Sequence, residues 1–124
     1  MLNTEKAYPT VGVKDMAVAR KFYEGPLGLQ KVADEGPDFV AYEANGSRLF
    51  VYKSEFAGTN EATAVTWIVA DVEKAVENLK ARGVAFEHYD MPGMTLEGDV
   101  HVAEEMKVAW FKDPDGNIHS IAEE

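Results

Sequence analysis

The chain has 124 residues, 46% hydrophobic and 27% charged, with no cysteine; this is the size and composition of one soluble domain able to bury its own core, and it excludes disulfides, thiolate metal sites and cysteine nucleophiles. Twelve basic against 22 acidic residues leave a formal charge of −10, which argues against nucleic acid, whose affinity comes from Lys and Arg neutralising phosphates, and mildly favours a cationic ligand. No apolar run approaches the ~18 residues of a membrane span, and Met1 to Lys6 has neither the basic start nor the apolar stretch of a signal peptide, so the expectation is a cytoplasmic protein with no membrane partner.

Residues 1–7 read as a loose lead-in. Tyr8 to Val13 then alternates, with Val11 and Val13 on one face of a strand and Tyr8, Thr10 and Gly12 on the other. Asp15 is placed to cap a helix whose apolar stripe is Met16, Ala19, Phe22 and Tyr23, and Gly25-Pro26 stops it. A strand over Leu29–Ala33, a turn at Asp34-Glu35-Gly36-Pro37, and a hairpin of Phe39–Glu43 with Arg48–Tyr52 around Asn45-Gly46 complete a first half. Ser54–Glu61 is a polar joint. The pattern then restarts: strand Thr63–Val69, cap Asp71, a helical stripe of Val72, Ala75, Val76 and Leu79, Gly83 as the left-handed helix stop, and a strand over Val84–Tyr89. Asp90–Glu105 is a long insertion, and connections of that length are often lids or binding loops. The chain closes on a hairpin through Asp113-Pro114-Asp115-Gly116, in which Pro114 presets the first turn position and Gly116 supplies the positive φ.

The two halves superpose by register. Val11 and Trp67, Val13 and Val69, Asp15 and Asp71, and Ala19 and Ala75 are each 56 apart, while Asn45-Gly46 and Asp115-Gly116 are 70 apart because the second half carries the longer loop. Each half is strand–helix–strand–strand–strand and leaves sheet edges open by itself, so the expectation is a duplicated single domain, with a module over about residues 8–53, a linker over about 54–62 and a second module over about 63–122.

Val13-Lys14-Asp15-Met16 through Phe22-Tyr23 to Leu27-Gly28-Leu29 resembles the first module of the glyoxalase/bleomycin-resistance/extradiol-dioxygenase group, the vicinal oxygen chelate superfamily. Phe111-Lys112-Asp113-Pro114-Asp115-Gly116-Asn117 is similar to its C-terminal signature, and the resemblance covers nearly the whole chain. It implies an α+β fold of two βαβββ modules forming a half-open mixed-sheet barrel, with helices outside and a small-molecule cavity inside. It also implies a homodimer, since modules of this family commonly pair or swap to close the barrel.

In metal-using members four side chains, usually His or Gln and Glu, point into the cavity: one early in the first strand of each module and one just past each hairpin turn. Carried onto this chain, those positions are Tyr8 and Ala64, seven before each capping Asp, and Phe50 and Ser120, four past each turn Gly. Divalent ions need imidazole nitrogen or carboxylate oxygen in threes or fours, and none of the four offers either. Neither a metal nor another cofactor is expected, nor the standard glyoxalase I or ring-cleaving reaction.

The three histidines do not rebuild a site. His119 is adjacent to Ser120 and so takes the opposite, outer face of its strand, His88 sits beside Glu87, and His101 lies in the insertion. Each reads as an ordinary surface or partly packed histidine, with His101 the best placed for function because its loop lies near the cavity mouth. The cavity expected from alternation is aromatic with sparse hydroxyls: Tyr8 with Thr10, Phe50 with Tyr52, Ala64 with Thr66, and Ser120 beside Ile118. Met91 and Met94, flanking Pro92-Gly93, are adaptable apolar contacts from the insertion. No catalytic residue is assigned. Three readings follow: a metal-free module binding a small organic molecule, a lyase or isomerase of the same fold with altered chemistry, and an interaction domain whose barrel is filled by Phe50 and Ile118.

Overall fold

The strand–helix–strands order is realised twice in the computed structural model, which describes residues 1–33 and 36–123. The first half comprises β1 (Thr10–Val13), α1 (Met16–Glu24), β2 (Gln30–Ala33), β3 (Phe39–Ala44) and β4 (Ser47–Lys53). The second comprises β5 (Thr63–Val69), α2 (Val72–Ala81), β6 (Phe86–Glu87), β7 (Thr95–Glu97), β8 (Val100–Ala103), β9 (Met106–Lys112) and β10 (Ile118–Glu123). Of the turn expected at Asp34-Glu35-Gly36-Pro37, Asp34 and Glu35 lie outside the described residues. Both helices start where a carboxylate meets their free N–H groups: Asp15 accepts from Ala17 and Val18 at 2.9 and 3.2 Å, and Asp71 from Lys74 at 3.1 Å.

The halves form two mixed sheets, ordered β1-β4-β3-β2 and β5-β10-β9-β8-β7 with β6 also on β9, and these do not close into one barrel. β1 runs parallel to β4 with Thr10 opposite Phe50, and β5 parallel to β10 with Thr66 opposite Ser120. Those pairs are related by the shifts of 56 and 70 seen in the sequence (10 to 66, 50 to 120), so strand pairing reproduces the internal register. One irregularity falls at Ala64, where β10 steps from Thr63 to Val65 and leaves Ala64 without a partner.

Alternation then sorts the side chains. Val11, Val13, Val40, Tyr42, Leu49 and Val51 turn toward Met16, Ala19 and Tyr23 of α1, and Val100, Ala109, Phe111 and Ile121 toward Val72 and Val76 of α2. Phe22, Leu27 and Trp67 pack against both clusters, so the halves share one apolar layer on the helix side of the sheets. On the other face Thr10, Tyr52, Thr66 and Ile68 are exposed, while His101, Ile118 and Ser120 are buried.

Two expectations need correction. The strand expected over Val84–Tyr89 shrinks to the two residues of β6, and the Asp90–Glu105 insertion is not an open loop. It contains the β7–β8 hairpin, and β8 takes the place beside β9 that β2 takes beside β3: β6 pairs with Phe111 and Trp110, β8 with Val108, Lys107 and Met106. The edge of β9 is thus satisfied by two short strands in succession. Asp99, in the β7–β8 turn, pins the hairpin by accepting from Lys80 of α2 at 2.6 Å and bonding His88 at 2.7 Å; these two bonds, Lys80 foremost, hold its carboxyl below the usual carboxylate range.

The closing turn is a joint between the halves. Asp113 is buried, and its Oδ1 accepts the backbone N–H groups of Asp115 and Asn117 at 2.9 and 2.8 Å. Its Oδ2 accepts from Tyr23 Oη of α1 at 2.7 Å and from Asn117 Nδ2 at 2.8 Å. Asn117 Nδ2 also donates to the Gly12 carbonyl of β1 at 2.8 Å, and Asp115 Oδ1 accepts from Lys14 N at 3.1 Å. Gly58 lies so close that a Cβ there would stand 2.2 Å from the Asp115 carbonyl oxygen, at a backbone φ of +76°. Asp113→Ala leaves four donors without their acceptor, most of them buried, and is expected to cost ~3 kcal/mol or more. Asp115→Ala removes one exposed bond and is expected to cost under ~1.5 kcal/mol; urea unfolding of the two variants checks the order.

Candidate functional site

The face away from the helices carries most of the expected site residues, but in two groups. On the first sheet Tyr8 meets Phe50 edge to face with centroids 5.4 Å apart, and Phe39 meets the same ring at 5.3 Å. Thr10 and Tyr52 lie beside them and are exposed. On the second sheet Thr66 and Ser120 hydroxyls bond at 2.8 Å, next to Ala64. A groove of about 350 Å³ runs between the first hairpin and β5, with Thr66, Ile68, Pro9 and Arg48 among its walls. The four positions that the resemblance equates with metal ligands hold an aromatic pair, a methyl group at a strand irregularity, and a serine already bonded to a threonine. This donor set does not fit a divalent ion.

Three rings form the centre of the second group. His101, expected in a loop, lies in β8 and is only 1% exposed. Its ring meets Trp110 edge-on at 4.8 Å and Tyr89 at 6.2 Å, and Tyr89 meets Trp110 at 5.4 Å. The backbone N–H of Tyr89 donates to His101 Nε2 at 2.9 Å, which assigns the hydrogen of the neutral imidazole to Nδ1. That Nδ1 and the hydroxyl of Tyr89 are buried without a hydrogen-bond partner among the described residues. Burial is the main reason the Tyr89 phenol is pushed above its ordinary pKa, with Glu87 adding to it. A cavity of about 250 Å³ opens beside the cluster, walled by Tyr89, Trp110, Met91, Ile118 and Thr63, with Glu61 at its edge. Met91 lines this cavity, while Met94 serves the Pro92-Gly93 turn, donating its N–H to the Met91 carbonyl at 3.1 Å. Tyr89 and Trp110 escaped the sequence reading. Trp110 was findable by parity, because it pairs with Ser120 across the β9–β10 hairpin.

His119 overturns its expectation. It does take the face opposite Ser120, but that face is covered by helices, and the ring is fully buried between Phe111 and Trp67. Trp67 Nε1 donates to His119 Nδ1 at 3.0 Å, so the imidazole hydrogen sits on Nε2 and is shared with Tyr23 Oη at 3.0 Å, which in turn donates to Asp113. Every member of this chain has its partner, and it works as a strut between the halves. Burial, only partly opposed by the Asp113 charge, lowers the His119 pKa to about 4, and a proton on Nδ1 would face the Trp67 N–H donor to donor. The Tyr23 phenol is pushed far upward, by burial first and then by Asp113.

Asp71, Glu73 and Glu123 gather three carboxylates. Asp71 caps α2, Glu123 accepts from Val72 N at 2.9 Å, and Glu73 pairs with Lys107 at 2.8 Å, so each already has a partner.

A profile of the Glyoxalase/Bleomycin resistance protein/Dioxygenase superfamily matches residues 7–119, and the chain belongs to that family. Among solved structures it is similar to a glyoxalase family protein from Enterococcus faecalis, with 16% identity, TM-score 0.74, and 98% and 99% of the two chains covered. It is also similar to a lactoylglutathione lyase from Agrobacterium tumefaciens (14% identity, TM-score 0.71, 97% and 93% covered). The antibiotic binding protein TnmS3 from Streptomyces sp. CB03234 shares 19% identity at a TM-score of 0.64, with 96% of each chain covered. These likenesses establish the fold. A search among proteins of curated function finds no significant match.

The depressed pKa of His119 sets a pH dependence. The unfolded imidazole binds a proton near pH 6.5 and the folded one only near about 4, so stability from this group is complete above 6.5 and is lost as pH falls from 6.5 through 4. The loss amounts to about 3 kcal/mol. His119→Gln is expected to be less stable than wild type at pH 7, with the gap narrowing by that amount toward pH 4. Parallel stability curves for the two proteins would contradict the assignment.

Proposed function

We propose that this protein is a metal-independent binding protein of the glyoxalase/bleomycin-resistance kind, which takes a small flat organic molecule against the open face of its second sheet and works as a homodimer. The observation that carries this reading is the pair of buried, unpartnered polar atoms, Tyr89 Oη and His101 Nδ1, in an aromatic cluster beside a 250 Å³ cavity. A buried polar group without a partner costs ~1–3 kcal/mol, and native proteins keep few of them unless something completes the bond. A ligand with an acceptor oxygen on an aromatic body supplies what His101 N–H lacks and stacks on Trp110 and Tyr89. Glu61 at the edge and the overall charge of −10 favour a molecule that is neutral or cationic elsewhere. Metal independence is supported by the donor chemistry of Tyr8, Phe50, Ala64 and Ser120, which supplies neither imidazole nor carboxylate.

The dimer is supported by exposed apolar side chains on the open faces, Tyr52 at 41% and Ile68 at 56%, which a second copy would cover. Light scattering should give twice the 13.7 kDa of one chain; the monomer mass would refute this part.

A thermal-shift screen of flat aromatic carbonyl compounds, run with EDTA present, is expected to yield ligands that raise the melting temperature. Tyr89→Phe removes a hydroxyl that has no partner in the free protein. It should leave the free protein as stable or up to ~1 kcal/mol more stable, while weakening the ligand about tenfold. A less stable variant with undiminished binding would make the hydroxyl structural and sink the reading.

A further inference from the structure

A second cavity lies on the opposite side of the molecule, where the two halves meet under the helices. It measures about 360 Å³, within the range of small-molecule sites. Its walls are apolar, with Leu27, Trp67, Val69, Leu79, Phe111 and Ile121 foremost, and its polar lining side chains are Asn78 and Arg82. Those two are four residues apart at the end of α2 and so stand side by side on one edge. Trp67 is also one of the residues common to both core clusters, so the cavity is open to the shared apolar layer.

Arg82 lacks a counter-charge. In a chain with 22 acidic and 12 basic residues, its guanidinium meets no carboxylate at ion-pair distance among the described residues. Its one hydrogen bond is a long contact of Nη1 to the Pro26 carbonyl at 3.4 Å, across Gly28, which passes 3.3 Å from the same nitrogen measured from a built Cβ. A guanidinium has five N–H donors in a fork that matches a carboxylate, and most of these are unengaged. The positive charge also offsets the negative end of the α2 dipole, which would otherwise repel an anion at this place.

We infer that this inter-module cavity binds a small amphipathic carboxylate, with an aryl or branched-alkyl body against Trp67, Leu79 and Phe111 and its carboxylate on Arg82 and Asn78. The site is separate from the open-face cavity and does not depend on the function proposed for it. Because its walls come from both halves, occupancy ties them together and raises the melting temperature.

The probes are 4-phenylbutyrate and its uncharged amide, followed through the two indole N–H resonances of the protein in ¹H–¹⁵N spectra. The chain has two tryptophans, Trp110 in the open-face cavity and Trp67 in the inter-module cavity; Trp67 also borders the groove beside β5, so the Arg82 and Ala75 variants complete the assignment. 4-Phenylbutyrate should move the Trp67 signal and leave Trp110 in place, and the amide should bind at least about tenfold more weakly. Arg82→Gln, at an exposed position, should abolish that preference, and Ala75→Leu, which fills the cavity without touching the charge, should abolish binding of both. Equal binding of acid and amide, undiminished binding to Arg82→Gln, movement of Trp110 alone, or no movement at millimolar probe would each overturn the assignment.

Discussion

The carboxylate of Asp113 is the point on which the two halves depend. It is buried, and it accepts four hydrogen bonds: from two backbone N–H groups of its own turn, the amide of Asn117 and the phenol of Tyr23. A buried charge is tolerable only when it is bonded in this way. The consequence is directional. Since Asp113 accepts from Tyr23, Tyr23 is free to accept from His119, and His119 to accept from Trp67. The order of protons from the second sheet through α1 to the closing turn is settled by one carboxylate, and it requires a neutral imidazole.

That strut divides the molecule by chemistry. On the helix side, buried valines and aromatic rings surround a polar chain with no spare capacity, so His119, Tyr23 and Asp113 are structural despite looking like an acid–base constellation. On the other side the polar groups are less well served. The Tyr89 hydroxyl and the His101 Nδ1 are buried without partners among the described residues, while the ring of Tyr8 meets Phe50 and the exposed Thr66 bonds the buried Ser120. The contrast is the ground for the binding proposed on the open face; for the proposed inter-module site the ground is the exposed Arg82, which meets no carboxylate at ion-pair distance among the described residues.

Much of the fold was legible in the sequence because its signals are local. Asp15 and Asp71 cap helices by bonding residues two or three positions away, Asn45-Gly46 turns a two-residue hairpin, and period-two alternation puts Val11 and Val13 on one face, which is the buried one. The repeat offsets of 56 and 70 recur in the strand pairing of Thr10 with Phe50 and Thr66 with Ser120. The site was less legible. The β7–β8 hairpin inside the insertion has few strand-forming cues in Thr95–Glu97, and its place is decided by the free edge of β9. His101 reads as a loop residue in the sequence but lies in β8, and Tyr89 and Trp110 meet only once β6 and β8 have both paired with β9.

By itself, then, the sequence determined both helices, most of the strands and their repeated order, since these follow from residue type and short-range spacing, and its motifs carried the resemblance to the family that the comparison establishes. Only the tertiary structure decided what the histidines do. Residues 119 and 101 look alike as isolated imidazoles in a chain. One is closed on both nitrogens by Trp67 and Tyr23, 52 and 96 positions away, and the other keeps a buried N–H with nothing to meet it. Hydrogen-bond satisfaction is a property of three-dimensional neighbours, and no local pattern carries it.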